Sequence, residues 1–139
     1  MNWIAWDDTL DTGHASMDTD HEELARLFDE LRVCVESGGG KTSCIKQLDA
    51  IIAHTQAHFD RERELMAKFA YPKADPHEAE HAMLTRQALE LRASVERDFI
   101  ASQTTLAAFP DAWLAFHILF SDKELAAFLA SASHDQADR

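Results

Sequence analysis

The sequence predicts an all-α protein, an antiparallel up-down-up-down four-helix bundle preceded by an N-terminal arm. Three observations predict it. Apolar residues recur with a period near 3.6 in four successive segments, the mark of helices that each bury one face. Four Gly and three Pro in 139 residues are too few to turn the chain through a many-stranded sheet. With 46% hydrophobic and 27% charged residues, a chain of this length builds one core and one domain. Residues 1–130 are expected to form the bundle, with 1–17 as a packed arm and 131–139 as a flexible tail.

The arm carries Trp3 and Trp6 but no helical period. The first helix sets His21, Leu24, Phe28, Leu31 and Val35 on one face and stops at Gly38-Gly39-Gly40. The second carries Ile51, Thr55, His58, Glu62, Leu65, Met66 and Phe69, and ends near Tyr71-Pro72. The third carries His77, His81, Leu84, Ala88, Leu91, Val95 and Phe99. Its start is expected at Asp75 as cap, with Pro76 at the first helical position and Glu78 completing a capping box. The fourth holds Trp113, Leu114, His117, Ile118, Asp122, Leu125, Phe128 and Leu129, and Pro110 either opens it or kinks a helix begun near Thr105.

Thirteen Lys+Arg against 25 Asp+Glu leave a formal charge of −12, a field that repels phosphate backbones and anionic lipid. Nucleic acid and membrane surfaces are therefore not expected as partners. Cys34 and Cys44 are the two cysteines and make no C-x-x-C, so free thiols are expected rather than a disulfide scaffold. The first residues lack a basic stretch followed by an apolar run, and no segment approaches the ~18 apolar residues of a membrane span. A cytoplasmic location is the resulting expectation.

The compositional oddity is eight histidines in an acidic helical chain. Any one of them, on an apolar stripe, reads as a core residue bonded to a neighbour. Together they read differently. His58 and Glu62 are four apart, so on a helix they differ by about 40° in direction and about 6 Å in height. His77 and His81 repeat that relation, and His21 sits on the buried face of the first helix. His117 and Asp122 are five apart, about 140° round an α-helix, an offset that suits a carboxylate reaching sideways to bridge two ions. Burying these seven groups without partners would cost several kcal/mol, and metal coordination removes that cost. Two octahedral ions offer about twelve positions. Five imidazoles and two bridging carboxylates leave room for a bridging solvent oxygen and about one open position for a small ligand.

Taken in order, His21, the run His58-Phe59-x-x-Glu62 with Met66, the pair His77-x-x-x-His81, and Trp113-Leu114-x-x-His117-Ile118-x-x-x-Asp122 resemble the hemerythrins, in particular bacterial hemerythrins. The resemblance runs from about Trp3 to Leu129. It implies a non-haem di-iron centre of two iron ions with a bridging oxo or hydroxo group. By it His77, His81 and His117 hold one iron, His21 and His58 the other, and Glu62 and Asp122 bridge them. It implies reversible O2 binding at the two-histidine iron, as carrier, store or sensor rather than enzyme. An O2-using enzyme or a signalling protein is then the expected partner. Leu24, Phe59, Met66, Trp113 and Ile118, beside the ligands, fit a dry O2 pocket and equally fit ordinary core packing. Two positions depart from the family. Arg63 follows Glu62 where a second acid is usual, and His54 stands where an aromatic residue is common; His54 is placed to hydrogen-bond beside the ligands or at the pocket mouth. His14 and His134 are assigned no role at the metals.

Other chemistries account for fewer of these residues. His77-Glu78-x-x-His81 satisfies the zinc-peptidase pattern H-E-x-x-H. It falls in the first turn of its helix, with Glu78 expected to cap and no sheet to seat a peptide. A ferritin-like carboxylate site needs Glu-x-x-His on two helices, and only Glu78-x-x-His81 qualifies. A metal-free interaction bundle leaves the buried polar set unexplained. A di-iron enzyme acting on peroxide or nitric oxide is the alternative that shares the same ligands.

Overall fold

A computed structural model describes residues 11–115 and 117–137, with the backbone alone described at 110–112 and 133–137. The expected arm lies outside the described residues over positions 1–10. Helix α1 is Ala15–Glu36, α2 Lys41–Lys68, α3 Ala74–Arg97, α4 Phe99–Trp113 and α5 Lys123–Ala137, with a π-helix, His117–Asp122, leading into α5. There is no strand among the described residues.

Neighbouring helices run in opposite senses, as side-chain pairs at their two ends record. Asp20, early in α1, meets Arg61 late in α2 (2.7 Å), while Cys34, late in α1, lies beside Cys44 early in α2. Asp49 early in α2 pairs with Arg92 late in α3, and Glu62 late in α2 meets His77 early in α3. Trp113 at the end of α4 donates from Nε1 to the Leu84 carbonyl in α3 (2.8 Å). Contacts between α1 and α4, including Phe28 edge-on to Trp113, close the ring of four.

The start of α1 is tied down from both sides. His14 caps it, Nδ1 accepting from the Met17 N–H (3.3 Å), and the Asp18 carboxylate gathers the Thr12 hydroxyl and the Thr12 and Gly13 N–H groups. His14 thus has a structural task that the sequence reading did not give it.

Three boundaries differ from expectation. Helix α3 opens at Ala74 with Lys73 as cap and no side-chain capping bond, so Asp75 and Glu78 form no capping box. Pro76 sits in the first turn, where a missing N–H leaves no bond unmade. Phe99 does not belong to α3. The chain breaks at Asp98 (φ −150°, ψ 87°), whose carboxylate accepts from the Ala101 N–H and starts α4, so position 110 lies inside that helix. The last helix runs to Ala137, past Ser131 where the tail was expected to begin, through an alanine-rich stretch that favours helix.

The buried apolar residues form two clusters. The larger contains Leu24, Phe28, Ile51, Phe59, Leu84, Trp113 and Ile118; the smaller contains Met17, Met66, Tyr71, Leu125, Ala126 and Leu129. Along α1 the order is Met17, His21, Leu24, and along the last leg it is Ile118, Asp122, Leu125. A polar layer therefore divides the core at one height. Among the described residues no helix is long and apolar enough to cross a membrane.

Candidate metal centre

His21, His58, Glu62, His77, His81, His117 and Asp122 make up that layer, and all seven are buried; the two carboxylates expose nothing. Each helical leg contributes, because the hydrophobic periodicity turns these positions inward. The last pair needs more than an α-helix. His117 and Asp122 are joined by a π-helix, which brings residues five apart to the same face. Their Nε2 and Oδ1 atoms are 3.0 Å apart. The sideways reach expected from α-helical spacing is thus replaced by a local change of helix type.

The two carboxylates each divide their oxygens between two groups of imidazoles. Glu62 Oε1 lies 2.7 Å from His77 Nε2 and 3.1 Å from His81 Nε2, whereas Oε2 lies 2.5 Å from His58 Nε2. Asp122 Oδ1 lies 3.0 Å from His117 Nε2 and 3.4 Å from His77 Nε2, whereas Oδ2 lies 3.0 Å from His21 Nε2. Two donor sets follow, each with its ligand atoms within 4.8 Å of one another. One is Glu62, His77, His81, His117 and Asp122, and the other is His21, His58, Glu62 and Asp122. Neighbouring ligands around an octahedral ion at roughly 2.1 Å stand roughly 3 Å apart, the spacing seen here.

A metal fits these atoms better than hydrogen bonds do. His58 Nε2, Glu62 Oε2 and both Asp122 oxygens are fully buried and make no properly directed hydrogen bond, although oppositely polarised atoms lie at bonding distance. Lone pairs that converge on a point rather than on each other are what a bound cation requires. Carboxylates and imidazoles shift one another in opposite directions. Burial works to raise the Glu62 and Asp122 pKa values, but the surrounding imidazoles overcome it and hold both carboxyls well below their usual range, ready to ligate. Burial works to lower the His58 and His77 pKa values, yet the adjacent carboxylates win and push them up to about 10 and about 9. His81 goes the other way, lowered by burial and by the His117 and His77 charges.

The outer nitrogens of two of these imidazoles are held by carboxylates. Asp20 Oδ2 accepts from His58 Nδ1 (2.7 Å), and Arg61 grips the same carboxylate with two bonds of 2.8 and 2.7 Å. Glu80 Oε1 bonds His117 Nδ1 (2.5 Å) and is itself bonded by the Ser121 hydroxyl at 2.9 Å. The aromatic ring of Phe59 stacks on that of His81 at 3.8 Å and 9°.

A family model described as the hemerythrin HHE cation binding domain matches residues 12–129. The chain belongs to the hemerythrin family. It is similar to a bacteriohemerythrin of Ralstonia nicotianae, 26% identical over 97% of this chain and 95% of that one. A bacteriohemerythrin of Stenotrophomonas maltophilia is 25% identical over 91% of this chain and 81% of its own. One of Methylococcus capsulatus is 28% identical over 88% and 92% respectively. The buried histidine–carboxylate cluster is the metal-binding feature that this membership and the geometry have in common.

The other residues singled out from the sequence fall in different places. Leu24, Phe59 and Ile118 are buried in the larger cluster beside the polar layer. Trp113 is in that cluster too, but its ring packs on Phe109 and Phe28. Met66 lies across the polar layer, in the smaller cluster with Tyr71 and Leu125. His54 donates from or accepts at Nε2 no ligand atom; it bonds the Asp20 carbonyl (2.8 Å) and so braces the residue that holds His58. Glu78 stands 3.7 Å from His81 Nδ1, on the outer side of that ring. Asp20, Arg61, Glu80 and Ser121 were missed. The available signal was slight: an acid directly before His21 and another directly before His81.

Proposed function

We propose that the protein binds O2 reversibly at a non-haem di-iron centre, with His77, His81 and His117 on one iron and His21 and His58 on the other. Glu62 and Asp122 bridge the two. The observation that carries the reading is the unequal division of imidazoles about the shared carboxylates, three on one side and two on the other. Equal coordination numbers then leave the vacancy on the two-histidine side. The iron pair supplies the electrons and the open position for the gas. The chain supplies orientation and dryness. Asp20, clamped by Arg61, fixes the His58 ring through Nδ1, and Glu80 does the same for His117. Leu24 and Ile118, buried one turn or less from His21 and His117, keep water from the vacancy. The role is that of an oxygen carrier, store or sensor.

Anaerobic loading with ferrous iron, metal counting, and repeated admission and removal of air test this. Two irons per chain and a reversible visible spectrum are expected. A colour that bleaches irreversibly at the first exposure overturns the reading.

One feature favours a second reading, an enzyme acting on peroxide or nitric oxide. A cavity of about 350 Å³ between α2 and α3 is lined by Gln56, Phe59, Asp60, Arg63, Glu78 and His81, a polar approach to the outer side of the His81 ring with the Glu78 carboxyl 3.7 Å from its Nδ1. Turnover of peroxide by the iron-loaded protein, lost in Glu78→Gln, would select it.

A further inference from the structure

Cys34 and Cys44 face each other where α1 turns into α2. Their sulfurs are 3.1 Å apart, and no disulfide joins them. The connection between the two helices is built around this contact. Gly39 donates its N–H to the Cys34 carbonyl (2.8 Å), and its own carbonyl lies 3.7 Å from Cys44 Sγ. A Cβ at position 39 would stand 2.5 Å from Cys34 Sγ, so only glycine lets the chain pass over the pair this closely. The two sulfurs are not equivalent. Cys44 is fully buried, whereas Cys34 is partly exposed beside a surface hollow lined by Arg26, Asp29, Glu30 and Gln47.

We propose that Cys34 and Cys44 are a dithiol that a hydroperoxide oxidises to a reversible disulfide, clipping the α1–α2 end of the bundle. A disulfide bond of ~2.05 Å requires the sulfurs to approach by about 1 Å from their present positions. Cys34 reacts first because it is the accessible sulfur. Its thiolate attacks one oxygen of hydrogen peroxide, forming a sulfenic acid and releasing hydroxide, which takes up the thiol's proton as water. The Cys44 sulfur then attacks the Cys34 sulfur; the sulfur–oxygen bond breaks, and the leaving hydroxyl takes the Cys44 proton as a second water. Two thiols lose two electrons and two protons, and the peroxide takes up both. Burial, and then Cys34 beside it, push the Cys44 thiol up to about 12, so Cys44 is not the entry point; it resolves the sulfenic acid because its sulfur already lies 3.1 Å from that of Cys34. Cys34 lies thirteen residues beyond His21, roughly 20 Å along the helix, so the clip acts on the bundle end and not on the metal ligands.

The test treats the iron-loaded protein with excess hydrogen peroxide, alkylates the remaining thiols, and measures intact and peptide masses. A monomer that has lost two hydrogen atoms, resists alkylation and recovers both thiols with dithiothreitol is expected. Its melting temperature should rise by roughly 5–10 °C. Cys44→Ala should instead hold one oxygen on Cys34, captured by dimedone, and Cys34→Ser should leave Cys44 unreacted. Oxygen accumulating on Cys34 in the unaltered chain, a Cys34-linked dimer, or equal oxidation of Cys44 in Cys34→Ser overturns the proposal. The mass readout is independent of the iron spectrum, so its failure leaves the O2 reading standing.

Discussion

His117 Nε2 and Asp122 Oδ1 stand 3.0 Å apart across a π-helical turn, and that turn lets one short segment bring both an imidazole and a carboxylate into the buried cluster. In α-helical geometry the five-residue spacing would aim the carboxylate away from the imidazole. The π-helix aims both at one point. Replacing Asp122 by Asn keeps the shape but removes the shared anion. Iron content by elemental analysis should fall from about two ions per chain to one or none, with the helical content unchanged. Two tightly held irons in Asp122→Asn would show that Asp122 is not a bridge.

Metal and fold should be coupled. Five buried imidazoles and two buried carboxylates converge at one height of the core. A cation that binds only the folded chain stabilises it by about 4 kcal/mol when present at a thousand times its dissociation constant. Chelation should therefore lower the melting temperature by roughly 10 °C or more. Circular dichroism before and after chelation measures this; an unchanged melt would mean that the polar layer is held by its own ion pairs.

Asp20 and Glu80 should matter through the ligands they hold. Asp20→Asn removes the charge on His58 Nδ1 and strands Arg61, and Glu80→Gln does the same for His117 and Ser121. Partners of this kind typically change metal affinity by about 10–100-fold. Competition against a chelator should show both variants weakened, each still folded. Affinity equal to that of the unaltered protein would make these contacts incidental.

The helices and their inward faces were legible because burial imposes a 3.6-residue period, which His21, His58, Glu62, His77 and His81 all obey. What escaped was set by other physics. The α3 start differs from expectation since Asp75, Pro76 and Glu78 mimic a cap sequence, yet the helix begins at Ala74 with no side-chain capping bond. The break at Asp98 is carried by one carboxylate bonding Ala101. The π-helix leaves no periodic trace in six residues. Asp20 and Glu80 look like any solvated acids until the facing helix is in place; their partners lie 38 and 37 residues away.

The proposed dryness around an O2 site can be probed at Leu24, buried in the larger cluster one turn from His21. Leu24→Ser shortens the side chain and adds a hydroxyl. It should cost about 2–4 kcal/mol of stability and speed oxidation of the oxygenated protein several-fold, because water and protons reach the vacancy. Stopped-flow or slow spectral decay at a temperature well below melting gives the rate. An unchanged rate would detach dryness from Leu24.

Tyr71 offers a titration with one chromophore, since it is the single tyrosine of the chain. Burial, followed by the Glu124 carboxylate to which its hydroxyl donates at 3.2 Å, pushes its pKa up to about 12 from an ordinary value of 10.0. The folded protein thus keeps a proton that the unfolded chain releases. This contribution to stability is fully present below about pH 10 and is lost as the pH rises through about 12. Phenolate absorbance should show a midpoint near 12 in the native protein and near 10 in denaturant. Far-ultraviolet dichroism on the same samples separates ionisation from unfolding. In Glu124→Gln the native midpoint should move down toward 10, as the neighbouring charge disappears while the burial remains. A native midpoint already at 10 would mean that the phenol is neither desolvated nor in contact with Glu124 in solution.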